Sequence, residues 1–246
     1  GNDPDKAYWV LYIGNFIVAL GNGTVEAVIN PVVATMFPRE KTKWLNILHA
    51  GWPAGLALGA LFCALLPDTK LFFGAVWQFR FALCFIPVVI YGWLILARTF
   101  PVNERVAAGV SYRDMLREVR GLGFFVLGSL AYFAVMQMLG QPASLSGPDF
   151  PNCATWIFVY VSVIMTVLRF YAGPIVHRFS PIGLLVVSAA VAIAGLLFLS
   201  KSTGWAILAA STVYAFGKTF LWSTTLGLTS EQFPKGGALT LNGVSA

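Results

Sequence analysis

The chain has 246 residues, of which 58% are hydrophobic and only 11% are charged, and its mean hydropathy is +0.76. A soluble domain carries about 25% charged residues, so this composition excludes an ordinary soluble protein. The net charge of +6 does not require a nucleic-acid partner, because the basic residues are distributed as in membrane proteins. We therefore expect an all-α, polytopic helical membrane protein.

Seven apolar runs have the length that an α-helix needs to cross about 30 Å of hydrocarbon. A further run, 236–246, is apolar enough to be the start of an eighth span. Because the chain begins with GNDPDK and ends within a predicted helix, we expect it to be an internal piece of a longer protein. The predicted spans are 8–37, 44–66, 79–97, 122–142, 154–177, 181–200 and 203–229.

The basic residues are concentrated on one side of the predicted membrane. If the chain starts outside, ten of its sixteen Lys and Arg residues lie in inner loops, as the positive-inside rule requires. The longest polar interval, 98–121, contains SYRDMLREVR, whose spacing and mixed charges predict a short amphipathic helix on the inner surface. We expect a multi-pass protein of the inner cell membrane in which this linker is cytoplasmic.

Polar residues in the first span share one helical face. Asn15, Asn22, Glu26 and Asn30 stand at i, i+7, i+11 and i+15. An ionised carboxylate facing lipid costs at least a few kcal/mol, so this face should turn toward the protein interior or a water-filled cavity. It is either a structural polar seam between helices or a site at which Asn22, Glu26 and Asn30 contact a solute.

The second span opens with LNILHAGWPAGLALG and places a histidine at the depth of Glu26. At 1.5 Å per residue, the two levels differ by only a few ångströms, so the side chains of Glu26 and His49 could meet. A carboxyl group and an imidazole in a low-dielectric cavity can form a proton relay. We expect Glu26 and His49 to couple a proton, although His49 could instead be a hydrogen-bonding spacer. Asn46, His49 and Trp52 are expected to contact the solute.

A shift of 196 residues superimposes the first span on the last complete one. Parallel repeats of about 200 residues are typical of transporters, in which the solute site lies between the two halves. The repeat therefore predicts a central cavity lined by equivalent positions of both spans. The aligned identities include Trp9 with Trp205, Ala19 with Ala215, Gly21 with Gly217 and Leu45 with Leu241.

The last complete span presents a second polar and aromatic face. Tyr214, Lys218 and Trp222 lie at i, i+4 and i+8. Aromatic rings offer a flat surface for the C–H face of a sugar, and an ammonium can hydrogen-bond its hydroxyls. We expect all three residues to contact the solute, although Lys218 could instead pair with a carboxylate elsewhere.

Two arginines near the inner ends of helices have another expected role. Arg169 should either extend to the interface or make a gating contact, and Arg178 lies in the inner loop that follows. We assign both to gating.

The three cysteines have no metal-ligand spacing, and the chain lacks an H-E-x-x-H zinc pair and a G-x-S-x-G nucleophile. We therefore predict no metal, no cofactor and no catalytic residue.

Several segments resemble the major facilitator superfamily, and within it the fucose and glucose/galactose permeases. GNGTVEAVINPVVATMFP followed by LNILHAGWPAGLALG resembles helices four and five of that family. RFYAGPIVHRFSPIGLL resembles helix eight, and FGKTFLWSTTLGLTSEQFPKGGALTLNG resembles helix ten running into eleven. The resemblance implies a partial twelve-helix fold with seven transmembrane helices plus the start of an eighth. Residues 1–97 would form helices four to six of the first half, 98–121 the linker, and 122–246 helices seven to ten and the start of eleven.

The resemblance also implies a function. In the fucose-permease branch the helix-four glutamate, here Glu26, is important for proton-coupled sugar uptake. His49 and Trp52 stand where that branch has a Gln and an Asn, so the resemblance does not specify which sugar is bound. We expect a monomeric secondary transporter that moves a small polar solute, such as a sugar, together with a proton. The alternatives are a sensor on the same fold without flux, and a multipass membrane enzyme that uses Glu26 and His49 as acid and base.

Overall fold

The computed structural model describes residues 4–65, 82–96, 98–99, 101–102, 107–119, 153–233 and 236–245. Every regular element in these ranges is helical, which confirms the all-α prediction for the described part of the chain. The predicted span 122–142 lies outside the described residues. The helices, in chain order, are α1 (Pro4–Met36), α2 (Lys41–Leu65), α3 (Phe85–Leu96), α4 (Tyr112–Val119), α5 (Cys153–Phe170), α6 (Ala172–Arg178), α7 (Pro181–Lys201), α8 (Ala206–Thr219), α9 (Leu221–Gln232) and α10 (Gly237–Ser245).

Four of the described helices, α1, α2, α5 and α7, are long and apolar enough to cross a membrane, and α3 is apolar but shorter. The helices α1, α2 and α7 begin and end within a few residues of the predicted spans, whereas α5 stops earlier. Helix α3 lies inside the predicted span 79–97. The helix predicted within the linker is α4, where the Ser111 hydroxyl accepts a hydrogen bond from the Asp114 backbone N–H at 3.3 Å. This capping contact satisfies one of the free N–H groups at a helix start.

The span predicted at 203–229 is not one helix, because the structure divides it at Phe220 into α8 and α9. The hydroxyl of Thr219 donates to the carbonyl of Ala215, one turn earlier. Such back-bonding by Thr bends a helix. In addition, the side chain of Arg169 donates to the carbonyl of Thr219, which satisfies this oxygen at the helix end. The interruption therefore has a local cause and a tertiary one.

The span predicted at 154–177 is also interrupted, at Tyr171 between α5 and α6. Pro174 follows three residues later and has no N–H to donate to the preceding turn. Phe220 lies at the other interruption and is buried with Ala172 and Leu184. The two interruptions therefore share one apolar cluster, against which Leu168, Ile175 and Val176 pack.

The chain divides into two compact units. The first comprises Gly1–Leu45, Pro101–Met138 and Thr225–Ala246, and the second comprises Asn46–Phe100 and Leu139–Thr224. In the first unit α10 packs against α1 and α4, and in the second α8 packs against α5 and α7. The predicted division into halves at the 98–121 linker is a different partition, and it stays a prediction.

The tightest packing in the second unit is the crossing of α7 and α8, where two glycines allow the backbones to touch. A Cβ at Gly217 would lie 2.2 Å from the backbone N of Ala192, and one at Gly195 would lie 2.5 Å from the Cα of Tyr214. Small residues at helix crossings are the usual way in which membrane helices gain packing contacts. Neither glycine can carry a side chain unless one helix moves.

Replacing Gly217 by alanine is expected to lower the free energy of unfolding by about 1–3 kcal/mol, the usual cost of overpacking. The measurement is the thermal midpoint of the purified full-length protein in detergent. Gly21→Ala is the matched control, because Gly21 is the repeat counterpart of Gly217 and an added Cβ there meets no described atom within 4 Å. An unchanged midpoint for Gly217→Ala would contradict the observed crossing.

Candidate functional site

The polar face of α1 becomes progressively more buried toward the C-terminal end of the helix. Asn15 and Asn22 are exposed, Glu26 is half-buried and Asn30 is fully buried. The side chain of Asn22 hydrogen-bonds the carboxyl group of Glu26, one turn away. The sequence prediction that these residues share a face agrees with this contact, since i and i+4 side chains lie one above the other on a helix.

Asn30 has an unusual environment in the first unit. Neither its amide nitrogen nor its amide oxygen has a hydrogen-bond partner among the described residues, and the side chain is 0% exposed. The hydroxyl of Thr240 on α10 is also buried and also unpaired among these residues, and α10 packs against α1. An unsatisfied buried polar group costs about 1–3 kcal/mol. A polar ligand that reached Asn30 would therefore gain hydrogen bonds that the described protein groups do not supply.

Asn46, predicted to contact solute, is engaged by protein groups in the second unit. Its Oδ1 accepts from the hydroxyl of Ser223 at 2.5 Å, and its Nδ2 donates to the hydroxyl of Thr224 at 3.5 Å. All three side chains are fully buried. Buried polar groups need such partners, and here the partners join the start of α2 to the start of α9.

Arg169 is buried, with 3% of its surface exposed, so its guanidinium does not extend to an interface. Its Nε donates to the carbonyl of Thr219 at 2.8 Å, and its Nη1 donates to the carbonyl of His49 at 2.6 Å. Pro53 lies four residues after His49 within α2 and has no N–H for that carbonyl. Arg169 therefore satisfies a carbonyl that proline leaves without its helical partner and the carbonyl at the end of α8.

A further contact joins α2 and α9 within the first unit, and sequence reasoning missed it. The hydroxyl of Thr42 donates to Oε1 of Glu231 at 2.8 Å. A Cβ at Gly227 would lie 2.8 Å from the Cα of Thr42, so the two backbones are close. The available signal was that Thr42, Asn46 and His49 stand at i, i+4 and i+7 on one face of α2.

Lys218 lies on α8 beside the helix interruption. Its Nζ is 5.6 Å from the centroid of the Tyr214 ring, within the range of a cation–π interaction. Among the described residues, no carboxylate lies within ion-pair distance of Lys218. The predicted alternative of a salt-bridged Lys218 therefore has no partner in the described part of the chain.

The remaining predicted residues lie in different surroundings. Trp222 on α9 is partly buried, whereas Trp52 on α2 is 55% exposed. His49 is 8% exposed and contributes its backbone carbonyl to Arg169. Arg178 is exposed at the end of α6. The pairing of Glu26 with His49 and the roles of Trp52, Trp222 and Arg178 stay predictions.

The described residues contain no cluster of three or more His, Cys, Asp or Glu side chains that could hold a metal ion. The geometry provides a set of polar groups on apolar helices: an amide–carboxyl pair, an unpaired amide, the buried Arg169 and the partly buried Lys218. Polar and ionisable residues within membrane spans usually mark solute, ion or proton pathways. The arrangement is typical of a solute-binding membrane protein.

Comparison with known proteins defines the class. Residues 6–246 match a family model described as "Major Facilitator Superfamily". The chain therefore belongs to the Major Facilitator Superfamily, as the sequence resemblance predicted, and its apolar helices are those of an integral, multi-pass membrane protein.

A solved structure has a similar fold. It is that of FucP, a Major Facilitator Superfamily transporter in the outward conformation, with a TM-score of 0.70 and 19% sequence identity. The match covers 97% of this chain and 66% of that one, so the chain spans slightly less than two thirds of the FucP chain. No curated protein matches the chain significantly.

Proposed function

We propose that this chain belongs to a secondary active transporter that moves a small polar solute, a sugar, together with a proton. The observation that carries the proposal is the face of α1, where the carboxyl group of Glu26 bonds to Asn22 and the fully buried Asn30 follows one turn later. A carboxyl group inside a membrane span can take up and release a proton. The neighbouring amides have the donors and acceptors that sugar hydroxyls require.

The described contacts support alternating access, in which the solute site opens to one side of the membrane at a time. Thr42 lies in the basic segment Arg39–Lys43, which the positive-inside rule assigns to the inner side. Its contact with Glu231 and the contacts of Asn46 therefore close the inner ends of α2 and α9.

The residues proposed to contact the solute remain those predicted from the sequence, namely Asn22, Glu26, Asn30, Asn46, His49, Trp52, Tyr214, Lys218 and Trp222. Arg169 and Arg178 are proposed to act in gating. The transporter would act as a monomer in the cell membrane, with the 98–121 linker in the cytoplasm. It requires no cofactor and performs no chemical conversion of its solute.

The test is uptake by the purified full-length protein in liposomes. An inwardly directed proton gradient should drive accumulation of a labelled sugar from a panel of neutral and acidic hexoses, and a protonophore should abolish that accumulation. Solute binding without any flux would instead identify a sensor on the same fold. Hydrolysis or group transfer without flux would identify a membrane enzyme.

A further inference from the structure

In the described part of the second unit, two cations lie on helices that carry no acidic residue. This unit's described residues include no Asp or Glu, yet they place Arg169 and Lys218 on the neighbouring helices α5 and α8. The Nε of Arg169 bonds to the carbonyl of Thr219, the residue next to Lys218, so the two cations lie in one region. The positive charge of Arg169 acts directly on Lys218, and like charges repel more strongly in a low-dielectric interior.

The two cations are stabilised to different extents. Arg169 is surrounded by carbonyl oxygens, the negative ends of peptide dipoles, at 2.6 and 2.8 Å. Lys218 has the face of the Tyr214 ring at 5.6 Å, which is a weaker interaction than a charge-assisted hydrogen bond. Lys218 is therefore the position at which an anion from outside the described residues would gain most.

We propose that Lys218 binds the carboxylate of an anionic solute, so that the transported sugar is a sugar acid. This inference rests on the proposed transport function and specifies its substrate class. A single ammonium is a compact charge that matches one carboxylate. The ring of Tyr214 lies beside it and presents the flat surface against which the C–H face of a pyranose packs. Arg169 contributes its positive field while its side chain remains bonded to the two carbonyls.

The experiment compares D-galacturonate with D-galactose, which differ at C6, where one has a carboxylate and the other a hydroxymethyl group. Binding to the purified full-length protein is measured by isothermal titration calorimetry. The wild type is expected to bind galacturonate at least about tenfold more tightly than galactose, the effect of one charge-assisted hydrogen bond. Lys218→Met should reduce the ratio of galacturonate affinity to galactose affinity to about one, and Lys218→Arg should retain most of the preference. Lys201→Met is the control, because Lys201 is an exposed lysine at the end of α7.

Three results would overturn the proposal. They are equal affinity of the wild type for the two sugars, an undiminished preference in Lys218→Met, and tighter binding of galactose 6-phosphate than of galacturonate. The first and third need no variant, so a misfolded Lys218→Met protein cannot obscure the answer. Proton-driven uptake of galactose without galacturonate binding would refute the anionic substrate while supporting the proposed transport function. Absence of flux with every sugar would refute the transport function itself.

Discussion

Replacing Glu26 by glutamine in the full-length protein is expected to abolish proton-driven accumulation of the solute. Glutamine keeps the size of the side chain and can still hydrogen-bond Asn22, but it cannot bind and release a proton. A gradient of one pH unit is worth about 1.36 kcal/mol per proton, which sustains roughly tenfold accumulation. The accumulation ratio in proteoliposomes should therefore fall from about ten to about one. Exchange of labelled for unlabelled solute, which needs no net proton movement, should persist.

Glu40→Gln is the matched control for this experiment. Glu40 lies in the inner connection between α1 and α2 and pairs with Lys43 at 3.0 Å, outside both helices of the proposed site. The same substitution there should leave accumulation at the wild-type level. Wild-type accumulation by Glu26→Gln would refute the coupling role, and unchanged solute affinity would remove Glu26 from the binding site.

Replacing Arg169 by lysine is expected to destabilise the protein although the positive charge is kept. The guanidinium reaches two carbonyls on different helices with two nitrogens, whereas a single ammonium cannot reproduce this fork. Loss of one charge-assisted hydrogen bond costs about 1.5–3 kcal/mol. For a protein of this size that loss corresponds to a decrease of roughly 3–12 °C in the thermal midpoint, measured on purified protein in detergent.

Arg178→Lys provides the comparison, since Arg178 is exposed in the last turn of α6 and lies in the same part of the sequence. Its thermal midpoint should equal that of the wild type. If Arg169→Lys is as stable as Arg178→Lys, the two carbonyl bonds contribute nothing measurable. If both variants are destabilised, the effect comes from the arginine substitution in general and not from the contact of Arg169 with α2 and α8.

Some features of the candidate site could be predicted from the sequence and others could not. The face of α1 could be predicted because helical periodicity alone places Asn22, Glu26 and Asn30 on one side. The environment of Asn46 could not, because periodicity identifies a face but not the side chains opposite it. Ser223 and Thr224 are 177 and 178 residues away from Asn46, and neither carries a local signal for this contact.

The repeat predicts which positions are equivalent but not what surrounds them. Leu45 and its counterpart Leu241 are both buried, with 0% and 1% of their surfaces exposed. Gly21 and Gly217 are also counterparts, yet among the described residues only Gly217 packs against a neighbouring backbone. Identical residues at equivalent positions therefore have different environments, because the helices that approach them differ.

Amino-acid order alone was sufficient to predict a helical membrane protein and the face on which its carboxylate lies, and it also predicts the orientation in the membrane. These properties depend on the length of apolar runs, the placement of charges and the 3.6-residue period, all of which are local. Tertiary structure decided the burial of Arg169, and together with the local back-bond of Thr219 it divided the last span at Phe220. The partners of Arg169 are backbone carbonyls, which every residue has. Folding determines which carbonyls the guanidinium reaches. They are that of His49, four residues before Pro53, and that of Thr219 at the end of α8.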